Sequence, residues 1–456
     1  MLVRRAGGTL FLLLVEWSRL LESERIAIRL VIGLTIVLAV FGVHAGSEIR
    51  SGADSRWTVH LAYSLLRDRD LYLDEYRETL ARFDFYFIEE TGGHLVHAYP
   101  VAISVLAAPF VAALDPIIGP VVPLPSRLLA ERGDAELVKF WTIEATIASF
   151  WVALAALFVF LTAQAITSTA GAVVVALAFA FGTTAWSTAS RGLWGHAPSL
   201  LFLSMAIWLL LQAPRRPASA GWAGLPLGLA TAARPQDWLS VVILGGVVAL
   251  RSRRQLPGYL ATLAIALVPV LGYQLWIYGQ PFSPYSSPTQ LLTAANMLEA
   301  IAGILISPSR GLFIYSPILL LALAGAVARA RSGRWTLLDS AFAAVVALHT
   351  LMIASFVNWW GGHSFGPRLM TDVLPYLMVF LAYGVEAVRR LPAAPRRLAA
   401  ATTALLLALS VAIHAIGANN YAVNFWNAEP VSVNDAPSRL WDVRDAQLLR
   451  WRPWIP

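Results

Sequence analysis

The sequence predicts an all-α, polytopic membrane protein whose helices form a bundle, and three observations lead to this. Of its 456 residues, 58% are hydrophobic and only 13% are charged, about half the charged share of an ordinary soluble domain. The mean hydropathy is +0.64. Apolar runs of roughly 18 to 25 residues, the length that crosses a bilayer, recur along the chain.

The basic residues lie in short loops between the apolar runs. The chain has 34 basic and 27 acidic residues and a formal net charge of +7, which alone would also fit a nucleic-acid-binding protein. Short basic loops are typical of the cytoplasmic side of a membrane protein, so we expect membrane lipids as partners and no nucleic acid. The lack of cysteine excludes disulfides, thiolate zinc sites, Cys-ligated iron–sulfur clusters and cysteine nucleophiles.

Eleven apolar segments are predicted to cross the membrane. Residues 1–25 precede them and are predicted to form an amphipathic cytoplasmic segment. The transmembrane bundle is predicted over 26–417, with a polar extracytoplasmic loop at 45–139, and 418–456 are predicted to form an extracytoplasmic tail. The predicted spans are 26–43, 140–163, 170–188, 197–212, 221–233, 238–250, 259–277, 311–328, 335–356, 369–388 and 398–417.

The apolar stretch 100–114 in the long loop is predicted as a helix at the membrane interface, because it is short and contains Pro100 and Pro109. The longer stretch 100–124 is just long enough to span, so this alternative stays open. With an interfacial helix here and the N-terminus inside, the arginine clusters of the short loops all fall on the cytoplasmic side, as the positive-inside rule requires. These clusters are Arg215 and Arg216, Arg251 to Arg254, Arg329 to Arg334, and Arg389 to Arg397.

Two acidic features of the long loop have alternative interpretations. Asp54 precedes a predicted helical stretch, 58–66, so it is equally well interpreted as a helix cap or as a general base at the membrane surface. The triplet Asp68-Arg69-Asp70 is similar to a metal-binding DxD, but such triplets are common in charged turns. No metal or other cofactor is assigned, although a divalent metal stays open.

Four arginines and two histidines are predicted at the outer ends of spans, where the positive-inside rule predicts few cations. One such arginine most often extends to lipid headgroups. Four together favour a phosphate, which a guanidinium binds through two parallel hydrogen bonds. The six residues are Arg191, His196, Arg234, Arg310, His363 and Arg368. No Walker, GxGxxG, HExxH or GxSxG motif occurs in the sequence context that its function requires. This argues against ATP-driven transport and against serine or zinc hydrolysis.

Together these residues resemble the GT-C superfamily of integral-membrane glycosyltransferases, the group that contains protein O-mannosyltransferases and aminoarabinose lipid transferases. The resemblance covers the chain to about residue 375. The resemblance depends on the order of the motifs along the chain and on the side of the membrane where they are predicted, since no single motif is specific. The motifs are an outer-loop acid with its helix at 54–66, then 71–76, 97–100, 191–196, 234–235, 307–312 and 359–368.

The resemblance implies inverting transfer of a sugar from a polyprenyl-phosphate donor to an acceptor hydroxyl on the extracytoplasmic face. The acceptor is a glycan, a lipid or a protein, and Asp54 is the implied general base. The implied phosphate-binding residues are Arg234, Arg310 and Arg368, with His196 and His363 as further candidates. The residues expected to border the cavity are Trp57, His97, Tyr99, Arg191, Trp359 and Trp360.

The sequence departs from the family pattern around Asp54, the implied general base. Many family members have a doubled acid there, whereas Ala53 and Ser55 flank Asp54, which disfavours the metal-assisted variants. An Arg-rich, Lys-poor chain fits a bacterial cytoplasmic (inner) membrane.

Two other functional interpretations remain. A lipid-linked sugar flippase or secondary transporter would also contain a broken segment such as the one at Arg234-Pro235, but usually as one of a pair in two related halves. A non-catalytic scaffold for cell-envelope assembly is the third interpretation, and the Asp54 and arginine pattern argues against it only mildly.

Overall fold

The structure, a computed structural model, is built of helices with a single small hairpin in the residues it describes, 27–50, 54–81, 87–286 and 296–451. Within them, six helices are long and apolar enough to cross a membrane: Ala27–Ala45, Ala135–Gln164, Arg253–Tyr278, Leu337–Ala354, Arg368–Arg390 and Ala393–Asn419. The prediction of an all-α integral membrane protein is confirmed. The segment predicted for 1–25 lies outside the described residues.

The elements are numbered in chain order, and short 3₁₀ and π turns connect several of them. The helices are α1 (Ala27–Ala45), α2 (Thr58–Arg67), α3 (Arg77–Ala81), α4 (Val101–Leu114), α5 (Ser126–Arg132), α6 (Ala135–Gln164), α7 (Thr169–Phe181), α8 (His196–Gln212), α9 (Ala218–Trp222), α10 (Gly224–Ala233), α11 (Trp238–Arg251), α12 (Leu256–Tyr278), α13 (Met297–Ile306), α14 (Leu312–Tyr315), α15 (Leu320–Arg331), α16 (Leu337–Ala354), α17 (Leu374–Arg390), α18 (Ala393–Asn419) and α19 (Tyr421–Phe425). Strands β1 (Ile88–Thr91) and β2 (His94–His97) form an antiparallel hairpin.

Several predicted spans are shorter or more interrupted than the hydropathy pattern indicates. The predicted span 170–188 is divided into α7 and a π turn, Ala185–Ala189. The predicted span 311–328 is divided by a 3₁₀ turn, Pro317–Leu319, because proline has no N–H to continue a helix. Helices α7, α8, α10, α11 and α15 have 13, 17, 10, 14 and 12 residues, fewer than the about 20 that a straight span needs. Eleven uninterrupted spans are therefore not found in the described residues.

The stretch 100–114 of the long loop forms α4, a helix of 14 residues. Its buried positions include Ile103, Ala107 and Val111, and the helix packs against α2, α6 and α10. Its length fits the predicted interfacial helix better than a crossing, and its depth in the bilayer stays a prediction.

The two ends of the bundle differ in chemistry. The C-terminal ends of α6, α8, α15 and α17 meet around a pocket lined by Arg215, Arg329, Arg334 and Arg390, which we call the arginine pocket. The N-terminal end of α8 lines a different pocket, and the 17 residues of α8 extend for about 25 Å. Members of three of the four arginine clusters predicted to be cytoplasmic thus lie together at the end of the bundle opposite this second pocket.

Candidate functional site

The pocket at the N-terminal end of α8, which we call the Asp54 pocket, brings together residues that are far apart in the sequence. Five of the predicted site residues line it: Asp54, Tyr99, His196, Arg234 and Arg368. They come from the turn before α2, the loop before α4, the start of α8, the break between α10 and α11, and the 3₁₀ turn that leads into α17.

Asp54 does not act as a helix cap. The N-cap position of α2 is Trp57, and no side chain caps that end of the helix. The Asp54 carboxylate instead accepts a hydrogen bond from Nη2 of Arg368, and the two side chains are 15% and 13% exposed. The structure therefore gives no support to the helix-cap interpretation, and Asp54 lines the Asp54 pocket with its carboxylate paired to Arg368.

A chain of hydrogen bonds continues from Arg368 into the bundle. Nε of Arg368 lies 3.4 Å from Nε2 of His196, and Nδ1 of the same ring lies 2.9 Å from Oδ1 of Asp372. The other oxygen of Asp372 accepts from Nε of Arg234. Because a guanidinium only donates and a carboxylate only accepts, His196 has its proton on Nδ1 and accepts at Nε2. A continuous series of hydrogen bonds thus connects Asp54 to Arg234.

Arg234 supplies a guanidinium that is buried and incompletely bonded. The residue is 3% exposed, its backbone is extended between α10 and α11, and its Nη2 has no hydrogen-bond partner in the described part of the chain. A buried cation with an unsatisfied donor is costly. Since Arg234 lines the Asp54 pocket, its Nη2 is suited to an anionic ligand there.

Two glycines allow these elements to approach each other. A Cβ at Gly195 would lie 2.7 Å from the carbonyl oxygen of Ala233, so only glycine lets the start of α8 contact the end of α10. Gly366 has a φ of 62°, and a Cβ there would lie 2.6 Å from Cδ1 of Tyr315. The turn at Gly366 directs the chain to Arg368, whose Cζ lies 3.9 Å from the Trp194 ring centroid.

An aromatic wall closes another side of the Asp54 pocket. The rings of Tyr99 and Tyr285 have centroids 4.4 Å apart, and both residues line the pocket. His97 lies behind Tyr99, with ring centroids 5.2 Å apart. Burial lowers the pKa of His97 to about 3, although the negative charge of Asp54 opposes this shift. His97 is therefore neutral near pH 7 and borders the site without contributing a charge.

Arg310 does not line the Asp54 pocket, and its guanidinium is bonded within the protein. All five of its N–H groups donate within the protein, so none remains for a phosphate. The acceptors are the carbonyl oxygens of Ser309, Trp360 and Gly362, at 2.7, 2.9 and 3.2 Å, and the side-chain oxygens of Asn427 and Gln447, at 2.8 and 2.6 Å. Arg310 fastens the C-terminal tail to the loop before Arg368.

Arg191 and His363 are also separate from the Asp54 pocket. Arg191 is 1% exposed and donates to the carbonyl oxygens of Trp186, Ile49 and His44. His363 is exposed, and its Nε2 lies 3.1 Å from Oγ of Ser432. Both side chains hold loops together, which the spacing of charges along the sequence does not reveal.

The predicted tryptophans divide into two locations. Trp57 is 4% exposed and packs in a small core with Leu61 and Leu73, so it supports the loop and does not line the Asp54 pocket. Trp359 and Trp360 line a separate, smaller pocket that shares Arg368 with the Asp54 pocket.

Replacing Arg310 with lysine tests its structural role. We expect the thermal unfolding midpoint in detergent to fall, because lysine has three donors in place of five and each lost buried bond costs about 1–3 kcal/mol. The affinity of the protein that remains folded for a polyprenyl phosphate should not change. The matched control is Arg444→Lys at an exposed position of the same tail. A stable variant with weakened lipid binding would restore Arg310 as a phosphate ligand.

Three further residues, which the sequence motifs do not single out, complete the site. Asp372 is 1% exposed and links His196 to Arg234, and Tyr285 forms part of the aromatic wall. Glu144, in the first half of α6, accepts from Oγ of Ser55 at 2.6 Å and from the backbone N–H of Leu193 at 3.3 Å. Acids inside apolar segments are functional candidates by default, and that rule applied to the predicted spans 140–163 and 369–388 would have found both carboxylates.

The Asp68-Arg69-Asp70 triplet forms a local turn. Oδ1 of Asp70 accepts from the backbone N–H of Tyr72 at 3.1 Å, and Asp68 is exposed. Within the described ranges, no group of three or more His, Asp or Glu side chains is arranged to hold a metal ion.

A scan against protein-family models and a search of curated proteins found no match to this chain.

Proposed function

We propose that this protein is a membrane glycosyltransferase of the GT-C type, which moves a sugar from a polyprenyl-phosphate donor to an acceptor hydroxyl on the extracytoplasmic face. One observation carries the proposal. A carboxylate, Asp54, and two guanidinium groups, Arg234 and Arg368, line one pocket at one end of the bundle. Inverting transfer requires a base for the acceptor and fixed cations for the departing phosphate.

In the proposed reaction, Asp54 takes the proton of the acceptor hydroxyl as the oxygen bonds to the anomeric carbon. The bond between that carbon and the phosphate oxygen breaks, and its electron pair leaves with the polyprenyl phosphate. The leaving phosphate gains negative charge, which Arg234 and Arg368 stabilise. Attack on the face opposite the leaving group inverts the configuration.

The ion pair between Asp54 and Arg368 imposes an order on these events. A carboxylate paired with a guanidinium is a weaker base, since the cation stabilises its charged form. A donor phosphate that binds Arg368 competes with Asp54 for the guanidinium and weakens this ion pair. We therefore expect the donor to bind before the acceptor is deprotonated.

The placement of the protein in a bacterial inner membrane, with eleven crossings and an extracytoplasmic site, belongs to the same proposal. The separation of the Asp54 pocket from the arginine pocket supports the extracytoplasmic position of the site, because arginine clusters favour the cytoplasmic side. The partners would be the donor lipid, a glycan, lipid or protein acceptor, and the surrounding lipids.

Replacing Arg368 with glutamine tests the phosphate role. We expect the affinity for a polyprenyl-phosphate sugar to fall about ten- to hundredfold, because a charge-assisted hydrogen bond contributes roughly 1.5–3 kcal/mol. The measurement is a binding titration in detergent, with the exposed Arg444→Gln as the matched control. Unchanged donor affinity in the folded Arg368 variant would contradict the proposed site.

A lipid-linked sugar flippase or secondary transporter is the second candidate, and a specific observation favours it. The apolar segments are interrupted after Phe181, at Arg234 and at Pro317, whereas the sequence indicated one break. Proteoliposomes with a labelled donor lipid separate the two functions. Movement across the bilayer without an acceptor would favour transport, and a glycosylated acceptor would favour transfer.

A further inference from the structure

The arginine pocket at the other end of the bundle has the chemistry of a binding site for an anion. Its cavity volume is about 460 Å³, and it is open to solvent. Four arginines line it against one carboxylate, Glu386. These residues belong to three separate segments, the loop after α8, the end of α15 with the loop after it, and α17, so the positive charge results from the fold and not from one basic run.

Two of the arginines are held in place by the protein. Nε of Arg329 lies 3.3 Å from Oδ2 of Asp339, and its Cζ lies 4.6 Å from the Tyr383 ring centroid. Arg390 donates to Glu386 at 2.6 Å. The carboxylate of Glu386 also accepts hydrogen bonds from Arg389 at 2.7 Å and from Thr167 at 3.1 Å.

The other two, Arg215 and Arg334, make no side-chain hydrogen bond or ion pair with any residue that the structure describes. Arginines near helix C-termini commonly bind the last carbonyl groups, and here these two do not. The apolar side chains of Ile166 and Leu211 form another part of the lining. A cationic rim beside an apolar wall matches an anionic headgroup attached to acyl chains.

We propose that the arginine pocket binds the phosphate headgroup of an anionic phospholipid, such as phosphatidylglycerol, from the leaflet on that side of the membrane. Arg215 and Arg334 contact the phosphate, Arg329 and Arg390 border the site in their ion pairs with Asp339 and Glu386, and the acyl chains follow the apolar wall. The site is independent of the activity proposed for the Asp54 pocket. The bound lipid would connect the ends of α6, α8, α15 and α17, and the segment that continues into α17 begins at Arg368 in the other pocket.

The test is native mass spectrometry of the full chain in neutral detergent, titrated with phosphatidylglycerol or phosphatidylcholine. We expect the wild type to prefer phosphatidylglycerol, and the double variant Arg215→Gln/Arg334→Gln to bind it about thirtyfold more weakly. The matched control, Arg216→Gln/Arg331→Gln, removes the same charge at neighbouring exposed positions outside the pocket and should bind as the wild type does.

Two results would overturn the proposal. An equal loss of binding in both double variants would mean that the arginines attract lipid only through their overall charge. Displacement of the lipid by millimolar inorganic phosphate would identify a soluble phosphate compound as the ligand instead. All four substitutions are at exposed positions, so we expect every variant to fold.

Discussion

Replacing Asp54 with asparagine is expected to lower the rate of glycosyl transfer by about a thousandfold, because a positioned general base typically contributes 10²–10⁴-fold to the rate. The donor should still bind. Asparagine cannot hold Arg368 as an ion pair, so the guanidinium becomes more available and donor affinity should stay equal or rise. Transfer is measured with a synthetic polyprenyl-phosphate sugar, and donor affinity is measured by titration.

The matched control is Asp68→Asn, which removes an exposed acid from the same loop and should leave transfer unchanged. The split between lost turnover and retained binding distinguishes a base from a residue that only supports the fold. Full activity in the Asp54 variant would exclude it as the base. If the Asp68 variant loses both glycosyl transfer and donor binding, the acidic triplet Asp68-Arg69-Asp70 would become the candidate site instead, with a bound metal.

Replacing Asp372 with asparagine is expected to lower the free energy of unfolding by about 3 kcal/mol or more. Asp372 and Arg234 are 1% and 3% exposed, and removal of one member of a buried ion pair leaves the other charge uncompensated. The thermal unfolding midpoint in detergent should fall well below that of Asp435→Asn, a control at an exposed position.

The double variant Arg234→Met/Asp372→Leu separates stability from function. Buried ion pairs can often be replaced by apolar residues without loss of stability. The thermal unfolding midpoint of this variant should therefore be well above that of Asp372→Asn and nearer to that of the wild type. It should nevertheless fail to bind the donor, because the guanidinium is absent. If Asp372→Asn unfolds at the wild-type temperature, the pair is solvated and does not organise the site.

The helix-forming segments and the side-chain chemistry of the site were largely predictable from the sequence. Long apolar runs identify the membrane class because backbone groups must be bonded within the lipid. Arginines outside the basic loops conflict with the positive-inside rule, and three of the predicted basic residues, His196, Arg234 and Arg368, do line one pocket. Hydropathy averages over a window, however, so it did not resolve the breaks after Phe181 and at Pro317.

The residue types of this protein determined that it is a helical membrane protein with a carboxylate and several cations outside its basic loops. Only the tertiary structure decided which of those cations are available to a ligand. Arg310 and Arg234 look alike in the sequence, yet Arg310 donates all five N–H groups to the protein, while Nη2 of Arg234 has no partner in the described residues. Hydrogen bonds between residues more than 100 positions apart depend on how the helices pack, and a local pattern does not contain that information.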